Sequence, residues 1–297
     1  MPDTLSIAIV ALNEEANLGR VLDSVGWADE IVVVDSGSTD RTCDIARAHN
    51  ARVVYEPWRG YTGQKNYALE LCTKDWVLSL DADEEVSPEL ASEIRALLSG
   101  THGGAACEGY SVPRKNLFLG RWIKHGGFYP DPKLRLFRRG RAYSTGRDPH
   151  DRFEMVSGES PQRLQGALIH HTYPTLILYL EHMNRYSSVW NRVAGAKPRP
   201  FSLNAIVLRP LATFIYNYFL RLGFLDGREG LLLHMYHAGY VSWKYAKAWE
   251  MGRPLAQAEQ VRALGGDPKA GGDAPFRSAD EQAPGAERRP AKVNLPR

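Results

Sequence analysis

Asp81 and Asp83, separated by one alanine, close a short apolar run, Trp76-Val77-Leu78-Ser79-Leu80. Such a run reads as a strand buried on both faces. In an extended chain alternate side chains share a face, so the two carboxylates point the same way. Convergent carboxylates repel and raise each other's pKa unless a cation sits between them. Hard oxygen ligands suit Mg²⁺ or Mn²⁺, and such ions usually also hold substrate phosphates. The C-terminal end of a strand is also where open α/β sheets bind ligands. The plain alternative is a solvated acidic turn ahead of a helix starting at Ser87-Pro88-Glu89.

The elements that must position this pair alternate in type. Leu5 to Leu12 reads as a first buried strand. Asn13 is placed to cap a helix from Glu14 to Val25, with Leu18, Val21, Leu22 and Val25 at helical spacing. Ile31 to Val34 is a β-branched strand ending in Asp35. Ser36 to Asp40 makes a turn, and a helix then runs to about His49. Ala51 to Tyr55 is a third strand, Tyr67 to Cys72 belongs to another helix, and Trp76 to Leu80 is the fourth strand. This alternation predicts a parallel, doubly wound sheet. Two successive strands then end in carboxylates, and an acidic strand end can take the ribose or base of a nucleotide. No Gly-x-Gly-x-x-Gly follows the first strand and no Walker loop is present, which counts against a dinucleotide or P-loop site.

Three motifs in order, Ala11-Leu12-Asn13-Glu14-Glu15, Val33-Val34-Asp35-Ser36-Gly37-Ser38-Thr39-Asp40 and Leu80-Asp81-Ala82-Asp83-Glu84, resemble glycosyltransferase family 2. The resemblance implies a GT-A fold, a nucleotide-sugar donor and a divalent cation, Mg²⁺ or Mn²⁺. It implies that Asn13, Glu14, Asp35, Lys65 and Asp81 contact the nucleotide sugar, and that Asp83, with Asp81, holds the metal. The stretch from His150-Asp151 through His171-Thr172-Tyr173 to Asn184-Arg185-Tyr186-Ser187 resembles the subgroup that builds the lipopolysaccharide inner core, which includes beta-1,4-glucosyltransferases. The turn Gly223 to Gly230 fits that subgroup. The likeness covers roughly residues 5 to 250.

Between Arg114 and Arg141 nine Lys/Arg stand against one acid, Asp131, interleaved with aromatic residues. Such a stretch predicts an anionic partner, nucleic acid or an anionic glycolipid. Arg135-Leu136-Phe137-Arg138 alternates as a strand that aims Arg135 and Arg138 at an acceptor. An inverting transferase needs a base for the acceptor hydroxyl. Asp151 and His150 are placed for that role, with Asp148 as rival. The related core transferases carry His-Glu here, so the shorter Asp151 leaves the reach open. His170 and His171 follow, with a metal or diphosphate contact as one use.

Three scattered cysteines, Cys43, Cys72 and Cys107, argue against a disulfide framework and for a reducing cytosol. The first apolar run lacks a basic flank and a small-residue cleavage site, so it reads as a strand and not as a signal peptide. The expected organisation is a GT-A domain over 1–190, a helical region that packs or meets a membrane over 191–253, and a disordered tail over 254–297. In the second region basic residues accompany Trp and Tyr, which suits an anionic headgroup layer.

The reading is an inverting, metal-dependent hexosyltransferase, with UDP-glucose as donor and an anionic lipopolysaccharide core as acceptor. It is expected on the cytoplasmic face of the inner membrane. Alternatives are transfer to polyprenyl phosphate or another envelope glycan, and a sugar nucleotidyltransferase. The latter would need a Gly-rich basic loop where Asn13-Glu14-Glu15 stands. Nucleic-acid binding by a non-catalytic protein fits poorly with Asp35, Asp81 and Asp83, so no nucleic acid is expected.

Overall fold

Leu5–Ala11 (β1) is apolar on both faces, and in the computed structural model it lies inside a seven-stranded sheet. The structure describes residues 2–100, 107–147, 150–193 and 200–253. β1 pairs in parallel with Glu30–Asp35 (β2), and β2 with Arg52–Tyr55 (β3). On its other side β1 pairs in parallel with Trp76–Asp81 (β4). Ala11 stands opposite Asp35 and Val10 opposite Asp81, so both acidic strand ends reach the same edge of the sheet. The crossover helices Leu18–Val25 (α1), Thr42–Ala48 (α2) and Gly60–Leu71 (α3) follow β1, β2 and β3.

α1 buries Leu18, Val21, Leu22 and Val25, the stripe read from the sequence. Truncating Leu18 or Leu22 to Ala would cost about 2–5 kcal/mol. The helix does not begin at Glu14. Asn13 adopts a left-handed φ of 55°, Asn17 takes the N-cap position, and the intervening residues form a turn. The cause is a competing use of Asn13. Its Oδ1 accepts from the Thr39 N–H at 2.8 Å, and its own N–H donates to Ser38 Oγ at 2.9 Å.

After β4 the chain turns into Glu84–Val86 (β5) and then Pro88–Leu98 (α4), capped by Ser87 Oγ accepting from Leu90 N–H. Gly109–Val112 (β6), Arg114–Phe118 (β7), Arg121–Trp122 (β8), Lys133–Arg138 (β9), Ala142–Arg147 (β10), His150–Met155 (β11), Gln162–Arg163 (β12) and Leu168–Tyr173 (β13) complete the strands. β9 and β6 extend the main sheet in antiparallel fashion beyond β4, and β12 edges it. β10 and β11 form a hairpin. A second sheet, ordered β5-β13-β7-β8, sets His170 opposite both Glu84 and Asn116.

Leu176–Val193 (α5) leads to the C-terminal helices. Arg209–Ile215 (α6) is flanked by wide π-helical turns over Asn204–Leu208 and Tyr216–Leu220, and Gly227–Glu250 (α7) folds back. The tight turn between them has a packing cause: the His234 ring of α7 fills the space that a Cβ on Gly223 or Gly126 would need. α5 and α7 share an apolar core with β7, formed by Phe118, Ile123, Tyr179, Met183 and Leu233. This core crosses the boundary expected at residue 190, because β7 and β8 offer an apolar face that only the helices cover. The expected tail over 254–297 lies outside the described residues.

Candidate active site

Asp81 ends β4 between two cations. Its Oδ1 lies 2.8 Å from Lys65 Nζ and its Oδ2 lies 2.5 Å from Arg135 Nη2. Burial would raise the Asp81 pKa, but Arg135 and Lys65 outweigh it and hold the carboxyl far below its usual range. Arg135, 5% exposed, also donates to the fully buried Glu84 at 2.8 Å. Burial opposes its charge, yet Asp81 and Glu84 more than compensate and raise its pKa. Arg114 continues the chain, reaching Glu84 at 3.1 Å and Asp131 at 2.7 Å.

Lys65 brings the second acid to the site. Its ammonium lies 2.9 Å from Asp151 Oδ2 as well, so one cation joins the ends of β4 and β11. Asn66, the next residue on α3, holds the hairpin in place. Its Nδ2 donates to the Ser144 carbonyl at 2.9 Å, and its Oδ1 accepts from the Ser144 N–H at 2.7 Å. Burial disfavours the Lys65 charge, but Asp81 and Asp151, against Arg135, shift its pKa upward. Asp151 is therefore beside the strand-end carboxylate, 70 residues away in sequence. The imidazole of His150 and the whole of Asp148 lie outside the described residues.

Asp83 and Asp81 take different partners. β4 stops at Asp81 and the chain turns, so the strict alternation of an extended strand ends before Asp83. Asp83 Oδ2 instead lies 3.1 Å from His170 Nε2. The other His170 nitrogen is 2.8 Å from Asn116 Oδ1 and 2.7 Å from Thr172 Oγ1. A carboxylate next to an imidazole that is oriented through its far nitrogen is a fitting start to a Mn²⁺ site. Asp81 has its oxygens on Lys65 and Arg135, whereas Asp83 and His170 face each other and are the residues that could hold the ion. Among the described residues no three such protein donors converge, so a ligand's phosphate oxygens would have to complete the set. His171 points the other way, 2.9 Å from Glu85 Oε2, so the two histidines do not act as a pair.

Asp35 organises the neighbouring loop. Only 3% exposed, its carboxylate accepts from the Gly37 and Ser38 N–H groups at 2.9 and 3.0 Å. These bonds shape the loop after β2, and Ser36 Oγ in that loop accepts from Gln64 Nε2 at 2.9 Å. Glu14 faces the same space. Burial, and then repulsion from Asp83, Asp40 and Asp81, raise its pKa despite a hydrogen bond from Asn17.

Sequence reasoning missed Glu84, Asn116 and two tyrosines. Tyr186 on α5 is raised in pKa by burial and then by Tyr61, with Arg185 opposing and Asp151 and Asp81 adding. His182, edge-on to Tyr186 at 4.0 Å between ring centroids, is pushed down to about 4 by burial and the Arg185 charge. The signal for Glu84 was available: a charged residue between Asp83 and the apolar Val86 must find a buried partner.

Several cations of the basic stretch 114–141 are engaged within the protein. Arg135 is buried in the Asp81–Glu84 network, where its guanidinium is paired to both carboxylates. Arg138 contacts Asp3 at 3.2 Å and the Trp76 ring, at the opposite end of β4. Residues three apart on a strand take opposite faces, which separates the two arginines. Lys133 and Arg141 pair with Asp131 and Glu108, while Lys115 and Lys124 lie over the Trp122 ring.

The family model for glycosyl transferase family 2 matches residues 6–184, from β1 through the acid cluster to α5. The chain belongs to glycosyltransferase family 2. It is a nucleotide-sugar-dependent glycosyltransferase with the GT-A sheet described above. The lipopolysaccharide core biosynthesis glycosyltransferase LpsC of Rhizobium meliloti is 33% identical over 232 residues, 75% of this chain and 82% of LpsC. A glycosyltransferase of Rickettsia typhi is 30% identical over 239 residues, 77% of this chain and 80% of its own length. Among solved structures, the Mycobacterium tuberculosis glucosyl-3-phosphoglycerate synthase in complex with Mn²⁺, UDP-glucose and phosphoglyceric acid is 31% identical over 39% of this chain and 44% of that chain, with a TM-score of 0.30.

Proposed function

We propose that this family 2 enzyme transfers a hexose, with glucose from UDP-glucose the leading choice, to a lipopolysaccharide core acceptor with inversion at the anomeric carbon. The observation that carries the reading is the Lys65 bridge, which sets Asp151 beside Asp81 at the C-terminal edge of the sheet. Likeness to LpsC over most of both chains supports the acceptor class.

In this reading the donor diphosphate lies over the ends of β1 and β4, where Lys65 supplies positive charge. Asp83 and His170 would hold a divalent cation, with Mn²⁺ favoured by the imidazole. When bound, that ion neutralises developing charge on the leaving diphosphate. Asp151 removes the proton from the acceptor hydroxyl as it attacks the anomeric carbon. Asp81 sets the field at the donor and positions Lys65. A lipid-linked acceptor stays in its membrane, so the enzyme works at the cytoplasmic surface of that membrane.

The experiment is a panel of nucleotide sugars with and without Mn²⁺, scored first by protection against thermal unfolding and then by transfer to core oligosaccharide. UDP-glucose with Mn²⁺ should protect and be turned over. Protection by none of the UDP-sugars would refute the donor assignment.

A further inference from the structure

The helix that runs from Leu203 through the π turn, α6 and the second π turn is inverted relative to an ordinary surface helix. Leu203, Val207, Leu211, Ile215 and Phe219 recur every four residues, and they are 60%, 48%, 54%, 44% and 53% exposed. Wide turns keep residues four apart on one side, so these side chains form one outward stripe. The other side meets α7: the Ile206 carbonyl accepts from Ser242 Oγ at 2.8 Å and the Tyr218 ring meets His234, while the exposed Arg209 reaches the Tyr245 hydroxyl from the flank. A soluble helix puts its apolar face on the core and its polar face in water. Here packing on α7 leaves the apolar stripe outside.

Charge identifies what covers it. From residue 182 to residue 225 there is no Asp or Glu, while six Lys/Arg occur, including Arg209 and Arg221 on the helix itself. The acids that follow are spent within the protein. Asp226 is 2% exposed and accepts from the N–H groups of Lys124 and His125, and Glu229 faces Arg121 at 3.6 Å. A second copy seated on this face would bring two basic surfaces together. An anionic bilayer complements both the apolar stripe and its basic flanks. Among the described residues no helix is long and apolar enough to cross a membrane, so the mode is in-plane.

We propose that residues 203–225 form an interfacial helix that embeds its Leu203–Phe219 stripe in the headgroup boundary of an anionic leaflet. The inference deepens the membrane-surface location in the reading above by naming the surface. It also reassigns Lys247, a basic residue of the appendage that would otherwise count as a lipid contact. Its ammonium donates to the Asn184 carbonyl at 2.9 Å and to Ser187 and Ser188 at 2.7 and 2.9 Å, fastening α7 to α5. The shared core under α5 and α7 then fixes how the catalytic edge is presented to the leaflet.

The test is flotation of the full chain with vesicles of phosphatidylglycerol mixed with phosphatidylcholine, and with phosphatidylcholine alone. No sugar nucleotide or acceptor is present, so failure here leaves the catalytic assignment standing, and failure of transfer leaves this result standing. Wild type should float with the anionic vesicles, and high salt should reduce binding. Leu211→Glu with Phe219→Glu should bind about 10-fold less or worse, since each side chain loses its apolar burial. The thermal midpoint of that variant should not fall, because both side chains are half-exposed. Leu211→Ser with Phe219→Ser repeats the comparison should the glutamates unfold the helix. Wild type that stays unbound, or a serine variant that floats like wild type, would overturn the proposal. So would a concentration-dependent wild-type dimer that the serine variant dissolves without any vesicle binding.

Discussion

His170 Nε2 lies 3.1 Å from Asp83 Oδ2, although the two residues are 87 apart in the chain. β13 pairs with β5 immediately after the Asp83 turn, and that pairing is what brings them together. If they hold the cation, His170→Ala should raise the Mn²⁺ concentration needed for half-maximal activity by about 10-fold or more. Asn116→Ala, which frees the far nitrogen, should weaken metal binding by about 10- to 100-fold. Titrating Mn²⁺ against thermal protection by UDP reads both effects without turnover. An unchanged Mn²⁺ midpoint in His170→Ala would leave Asp83 to act without it.

Lys65 is shared by Asp81 and Asp151, and it should pass to the donor phosphates on binding. Lys65→Met should weaken UDP binding by about 10-fold or more, the usual worth of a hydrogen bond to a charged group. Lys65→Arg should restore part of it. Calorimetric titration with UDP is the measurement, and wild-type affinity in Lys65→Met would confine Lys65 to joining the two acids.

The strands, the order of the motifs and the α1 stripe were legible because they depend on neighbours in sequence. Ion pairing was not. The net charge of residues 114–141 suggested an anion-binding surface, yet Glu84, Glu108 and Asp3 neutralise much of it from outside that window. Asn13 was legible as a capping type but not as a tether, because Thr39 reaches it only after β1 and β2 pair. The Lys65 bridge gave no local signal; it joins Asp81 and Asp151 only once β4, α3 and β11 are assembled.

Arg135 illustrates the cost of a buried charge pair losing one partner. Arg135→Met leaves Glu84 with Arg114 alone and removes one of the two cations on Asp81. Chemical denaturation at neutral pH should show a loss of about 3–5 kcal/mol. A loss under about 1 kcal/mol would mean that Asp81 and Glu84 are satisfied without it.

His234 is 1% exposed, and neither ring nitrogen has a hydrogen-bond partner among the described residues. Burial, with His237 beside it, pushes its pKa down to about 4. The unfolded chain takes up that proton near pH 6.5. The depressed folded value therefore contributes stability above about pH 6.5, which is lost as pH falls toward about 4. Urea midpoints should decline across that window, and less steeply in His234→Gln. An equal slope in both proteins would show that His234 is not the group responsible.

The proton-abstracting role of Asp151 is the centre of the account. Asp151→Asn keeps the shape of the side chain but cannot take a proton. Transfer from radiolabelled UDP-glucose to core oligosaccharide, measured beside UDP affinity in the same protein, separates catalysis from binding. The account predicts a fall in transfer of about 10²-fold or more with UDP affinity retained. Wild-type transfer by Asp151→Asn would contradict it.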